Sequence, residues 1–141
     1  MLRLNYNLRP RQKWTIISLM IITTIGLYSK FYAGPAKDWV NNSIGGAFYE
    51  IFWCILISLF IESIKPWVIA TFVLIITCLL EFLQLWHYPV LEWIRSFFIG
   101  RTVLGTSFTW SDFPYYFLGC GIGWIWIKQL QNIRQIHKKL N

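Results

Sequence analysis

The run Glu81-Phe82-Leu83-Gln84 sets a carboxylate and a carboxamide three residues apart, and Arg101 and Asp112 follow downstream. On a helix that spacing puts Glu81 and Gln84 on one face, with Thr77 one turn before them. Such a group can line a polar pocket in which the cation holds phosphate while the acids orient hydroxyl or amine groups. A partly desolvated carboxylate also suits general acid or base work. The same residues can instead serve as a structural ion pair, for example Glu81 with Arg101. Asn42, Glu50, Arg95 and Tyr116 are secondary candidates for the same pocket.

These polar residues stand out because of what surrounds them. The chain has 141 residues, 56% hydrophobic and 13% charged, a balance that excludes a soluble enzyme, a disordered tail and a disulfide scaffold. The apolar residues fall into four blocks, at about 14–32, 44–64, 67–85 and 111–127. A bilayer core of about 30 Å needs about 20 helical residues, so each block can cross. Four separate spans cannot close a barrel, and backbone groups in hydrocarbon must be bonded internally, so the spans are expected to be helices. The fold expected is therefore all-α, an integral-membrane four-helix bundle forming one domain over 1–141.

Thirteen Lys and Arg against six Asp and Glu give a net charge of +7. Spread over one surface this would suggest nucleic acid, but the cations flank the apolar blocks. Arg3, Arg9, Arg11 and Lys13 crowd the start, and Lys128, Arg134, Lys138 and Lys139 the end. With Lys65 in the short turn before Pro66, nine cations fall on one side; Lys30, Lys37, Arg95 and Arg101 make four on the other. The imbalance predicts both termini in the cytoplasm, a multi-pass chain, and no nucleic-acid partner. Residues 128–141 then form a helical cytoplasmic extension. The first block lacks a convincing cleavage site and is expected to be retained rather than removed as a signal peptide.

On this topology Glu50 lies just below the outer start of the second helix and Glu81 just below the outer end of the third, at similar depth. Asp112 opens the fourth helix from the same side. The segment 33–43 holds Asn41-Asn42-Ser43, where Asn or Ser can cap the second helix. In the longer outer segment 86–111, the stretch Val90 to Ile99 is too short to span. It carries Glu92 and Arg95 three apart, and predicts an interfacial or re-entrant helix between helices three and four. Trp14, Trp39, Trp67, Trp86 and Trp110 fall near the expected boundaries, where the headgroup zone favours them.

Other features point to packing rather than chemistry. Gly119-x-x-x-Gly123 permits close helix contact. Cys54, Cys78 and Cys120 lie in apolar blocks in odd number and imply no disulfide framework. His87 and His137 have no second ligand at metal spacing, and Ser107 and Ser111 lack an adjacent base. No metal or cofactor is expected.

Several segments resemble a bacterial family of small membrane proteins of unknown function. They are Leu27 to Tyr32, Gly34-Pro35, Trp39 to Ser43 with Gly45-Gly46, Leu80 to Trp86, Ile94-Arg95, Gly100-Arg101, and Asp112 to Tyr116 with Gly119 and Gly123. More remotely the chain resembles the VanZ-like superfamily, whose teicoplanin-resistance members share an acid-x-x-Gln, a following Arg and an Asp that opens the last helix. That pattern falls on Glu81, Gln84, Arg101, Asp112, Gly119 and Gly123. The chain departs from it in carrying Tyr116 where those proteins have Asn. The resemblance implies the bacterial cytoplasmic membrane and a role in the envelope.

Together these features lead to a multi-pass membrane protein with a polar outer-leaflet site for the headgroup of an envelope lipid or lipid-linked carrier. A subunit or assembly factor of a larger membrane complex, or a homo-oligomer, is the alternative. Whether the site only binds or also turns over its ligand is left open by the sequence.

Overall fold

The structure, a computed structural model, describes residues 8–140 except the side chains of Arg134, His137 and Lys138. The expectations placed on Arg3 and on those three side chains lie outside the described residues. The described chain is helical, without strands: α1 Pro10–Phe31, α2 Lys37–Phe60, α3 Pro66–Leu83, α4 Pro89–Ser96, α5 Phe98–Leu104 and α6 Phe113–Leu140. Proline occupies the first turn of α1, α3 and α4, where its missing N–H costs nothing and its fixed φ favours the helix. α1, α2 and α3 are each long and apolar enough to cross a membrane. α6 is not among them, because its glycines, tyrosines and tryptophans dilute the hydropathy of an otherwise apolar helix.

α2 and α6 form the central pair, and α1 and α3 pack on both of them. Each helix buries one stripe at helical spacing. On α3 the stripe is Ile69, Val73, Thr77 and Glu81, so the acid continues a line that begins as core. On α6 it includes Tyr116, Cys120 and Ile127, and on α2 it includes Glu50, Cys54 and Ile55. Large apolar side chains such as Met20, Phe72, Ile75 and Leu79 are exposed, a surface suited to hydrocarbon rather than water. The five tryptophans expected near helix ends are all exposed as well.

Gly119 and Gly123 set the distance between the central helices. A Cβ on Gly119 would come within 2.8 Å of Glu50 Cβ, and one on Gly123 within 2.8 Å of Cys54 Cβ. The small-residue spacing is thus used for close packing.

Three boundaries differ from the sequence reading. α2 starts at Lys37, seven residues before 44, so Asn41-Asn42-Ser43 do not cap it; they lie inside a π-helical stretch, Val40–Ile44. α6 begins at Phe113 after a 3-10 turn, Trp110–Asp112, and runs unbroken to Leu140. The expected helix over Val90 to Ile99 is two short helices, broken where Phe97 is extended (φ −87°, ψ 148°). They fold tightly together because Gly100 meets the Ile94 carbonyl, where a Cβ would collide.

At the end of the molecule away from Glu81, Arg11 is buried against α2. It donates to the Ser58 carbonyl at 2.9 Å and pairs with Glu62 at 3.5 Å, as does Arg9. Trp126 of α6 donates to Ser18 of α1 at 3.0 Å.

Candidate functional site

Glu81 is 1% exposed and its carboxylate is held from three directions. Gln84 Nε2 donates to Oε2 at 2.9 Å from one turn along α3, and Tyr116 Oη donates to the same oxygen at 2.7 Å from α6. The backbone N–H of Thr109 donates to Oε1 at 2.9 Å. A buried acceptor on a single helix thereby ties α3, α6 and the loop before α6 together. The alternative of a structural ion pair between Glu81 and Arg101 is not formed among the described residues; neutral donors occupy the carboxylate instead.

Local sequence makes this possible. Gly46 leaves room for the Tyr116 ring, since a Cβ there would lie 2.9 Å from its Cε1. Gly105 has φ +69°, a conformation glycine adopts freely, and its bare Cα faces the Gln84 amide. Phe82, Phe108, Trp110 and Phe113 form an aromatic cluster with centroid separations of 5.0–6.1 Å, which fixes the loop that delivers Thr109. Trp39 Nε1 donates to Tyr115 Oη at 2.7 Å and joins the starts of α2 and α6.

Beside this carboxylate opens a polar cleft of about 130 Å³. The structure brings all four principal candidates to it: Glu81, Gln84, Arg101 and Asp112, and with them Asn42 and Tyr116. Asp112 accepts a bond from Ser43 Oγ at 3.3 Å. Gln84 is 8% exposed, and because its Nε2 faces the Glu81 carboxylate, its Oε1 is left without a partner among the described residues.

Two secondary candidates lie elsewhere. Arg95 is 5% exposed and turns back to the end of α3, donating to the carbonyls of Trp86 at 3.1 Å and Leu83 at 3.2 Å and to Glu92 at 2.8 Å. It closes the last turn of that helix, a structural task. His87 Nδ1 lies 3.0 Å from the same Glu92 oxygen; the hydrogen bonds from His87 and then Arg95 hold the Glu92 carboxyl below its ordinary range. Glu50 is fully buried and accepts a bond from Cys120 Sγ at 2.9 Å. Tyr116 and Cys120, one turn apart on α6, thus each serve one of the two acids.

The sequence reading missed Lys30, Tyr49 and Thr109, which also line the cleft. Lys30 carried a usable signal, being a cation at the end of an apolar block on the side with few cations. Thr109 contributes its backbone, for which side-chain identity holds no signal. The arrangement offers two cations and two carboxylates at one polar opening, a means of binding a charged, hydroxylated or amine-bearing group. Among the described residues no three of His, Cys, Asp and Glu converge as metal ligands would.

A family model described as "Protein of unknown function (DUF2809)" matches residues 35–120. The match takes in α2 to α5 and the start of α6, and so most of the cleft. No solved structure matches the chain.

Proposed function

We propose that this chain, which belongs to the DUF2809 family of proteins of unknown function, is a four-span protein of the bacterial cytoplasmic membrane that recognises the polar headgroup of an envelope lipid or lipid-linked carrier. The observation that carries the reading is the cleft itself: Lys30, Arg101 and Asp112 gather around the buried Glu81 between helices whose outer faces are apolar. A soluble ligand needs no such surroundings, whereas a lipid headgroup must enter from the membrane plane.

α6 is long enough to act as the fourth span, since its 28 residues extend about 42 Å at 1.5 Å per residue. The cation imbalance supports both termini in the cytoplasm, with the cleft facing the outer leaflet. The envelope setting rests on the resemblance to VanZ-like proteins at Glu81, Gln84, Arg101 and Asp112.

The test compares lipid and cell-wall-precursor profiles of a deletion strain carrying the wild-type protein, Arg101→Gln or Asp112→Asn. Profiles altered in the variants, at unchanged protein level, are expected. Indistinguishable profiles, together with equal growth under envelope stress, would sink the reading. A stoichiometric protein partner retained by both variants in mild detergent would favour a complex subunit instead.

A further inference from the structure

Two apolar grooves border the polar cleft and share lining residues with it. One, of about 190 Å³, lies between α1 and α2 and is lined by Ile22, Gly26, Phe48 and Phe52. The other, of about 300 Å³, lies between α2 and α3 and is lined by Trp53, Ile57, Phe72 and Ile76. Tyr49 and Val103 border both grooves and the cleft, and Tyr49 Oη donates to the Val103 carbonyl at 3.1 Å. That hydrogen bond joins α2 to the end of α5 at the point where the three spaces meet. Each groove runs along nine residues of helix, Ile22 to Lys30 on α1 and Tyr49 to Ile57 on α2, or about 12 Å from end to end.

From this geometry we infer that the site takes a glycerophospholipid with two acyl chains and a primary ammonium headgroup, one chain lying on each side of the Tyr49–Val103 bond. The inference rests on the headgroup reading above and specifies its ligand. A partner helix, about 10 Å across with its side chains, needs one continuous groove, and here the apolar surface is divided in two. A single-chain carrier leaves one groove unfilled.

The polar end matches a zwitterion. Lys30 and Arg101 bring two positive charges, and Glu81 and Asp112 two negative ones, so the formal charges of the lining cancel. The cations suit a phosphate. Glu81 is already occupied by three donors, which leaves the Asp112 carboxylate, bonded by Ser43 alone among the described residues, as the acceptor for a ligand. An ammonium, with three N–H donors, pairs with that carboxylate while the cations hold the phosphate. A headgroup bearing only phosphate brings no cation to Asp112.

The experiment is native mass spectrometry of the full chain in mild detergent. The probes are diacyl phosphatidylethanolamine, its one-chain lyso form, diacyl phosphatidylglycerol and a polyprenyl phosphate. Diacyl phosphatidylethanolamine is expected to bind at least tenfold tighter than each of the others. Gly26→Leu fills the first groove with an ordinary contact, since a Cβ there lies 3.5 Å from Phe48 Cβ. It should lower diacyl binding at least tenfold and leave lyso binding unchanged. Ile76→Trp, at the second groove, is the independent probe should Gly26→Leu fail to fold. Asp112→Asn should abolish the preference for the ammonium lipid over phosphatidylglycerol. Equal binding of one-chain and two-chain lipids, or tightest binding of the polyprenyl phosphate, overturns the two-chain inference while the headgroup reading stands. Absence of binding by all four lipids overturns both.

Discussion

The Tyr116 hydroxyl donates to Glu81 Oε2 at 2.7 Å across the contact between α6 and α3. Its neighbour on that oxygen, Gln84 Nε2, comes from Glu81's own helix, so the tyrosine is the side chain that carries the bond between elements. Thr109 supplies the third donor through its backbone. Position of the acid and closure of the loop over the cleft are therefore one structural event.

Tyr116→Phe removes that donor and leaves the ring in place beside Gly46. We expect a loss of about 1–3 kcal/mol, the range for a buried acceptor deprived of a partner, measured as thermal unfolding in detergent. An unchanged melting temperature would mean that Glu81 is adequately served by Gln84 and Thr109 alone.

The glycines of α6 differ sharply in what a methyl group meets. Gly123→Ala drives a Cβ to 2.8 Å from Cys54 Cβ, whereas Gly121 has nothing within 4 Å. Gly123→Ala should destabilise by about 1–3 kcal/mol through overpacking, and Gly121→Ala should be neutral or slightly stabilising. Equal melting temperatures for the two variants would contradict the α2–α6 packing described above.

Gly105→Ala places a side chain at φ +69° and against the Gln84 amide. Displacement of the 105–109 loop is expected, with about 1 kcal/mol or more of strain. Cysteine labelling at Ser107, in a background lacking the native cysteines, should become faster in this variant. No change in labelling rate would show that the loop is held independently of Gly105.

Glu92 gives a pH signature of definite sign. Its carboxyl is held below its ordinary value of 4.5 by hydrogen bonds from His87 and Arg95. A depressed folded-state value means that the contribution is present above pH 4.5 and is lost as pH falls below it. Because Glu92 is exposed, the effect is small. Glu92→Gln should flatten the acid limb of the stability curve; a variant curve that still parallels the wild type there would assign that limb to other groups.

Topology can be read by labelling Ser63→Cys and Ser107→Cys in the same cysteine-free background. Both positions are exposed, one between α2 and α3 and the other beside the cleft. Membrane-impermeant reagent should reach them from opposite sides. Labelling of both from one side would rule out α3 as a single crossing.

Much of this was legible in the chain. The apolar blocks located the long helices, and Glu81 with Gln84 three residues on identified one lip of the cleft, because a charge inside an apolar run is costly wherever it falls. Arg95 was misleading for the same reason: its charge sits near the site, yet it serves the carbonyls that end α3. Lys30 was absorbed into the count of topology charges. The early start of α2 was hidden because Asn41-Asn42-Ser43 have the composition of a cap and gain their place only from tertiary contacts, the packing of this stretch on α1 and the bond from Ser43 to Asp112. Arg11 read as a cytoplasmic marker, and its burial against Ser58 depends on a partner 47 residues away.

The π-helical stretch at Val40–Ile44 has a consequence for how this chain tolerates insertions and deletions. Such a bulge is equivalent to one surplus residue in an α-helix. Removing that residue would restore an ordinary helix and leave the hydrophobic length from Gly45 onward untouched. It would also turn everything before Val40 by about 100° relative to the rest of α2. Trp39 would swing away from Tyr115, and the latch between the two helix starts would open. A single-codon deletion there would read in sequence as conservative and act in the molecule as a change of gear.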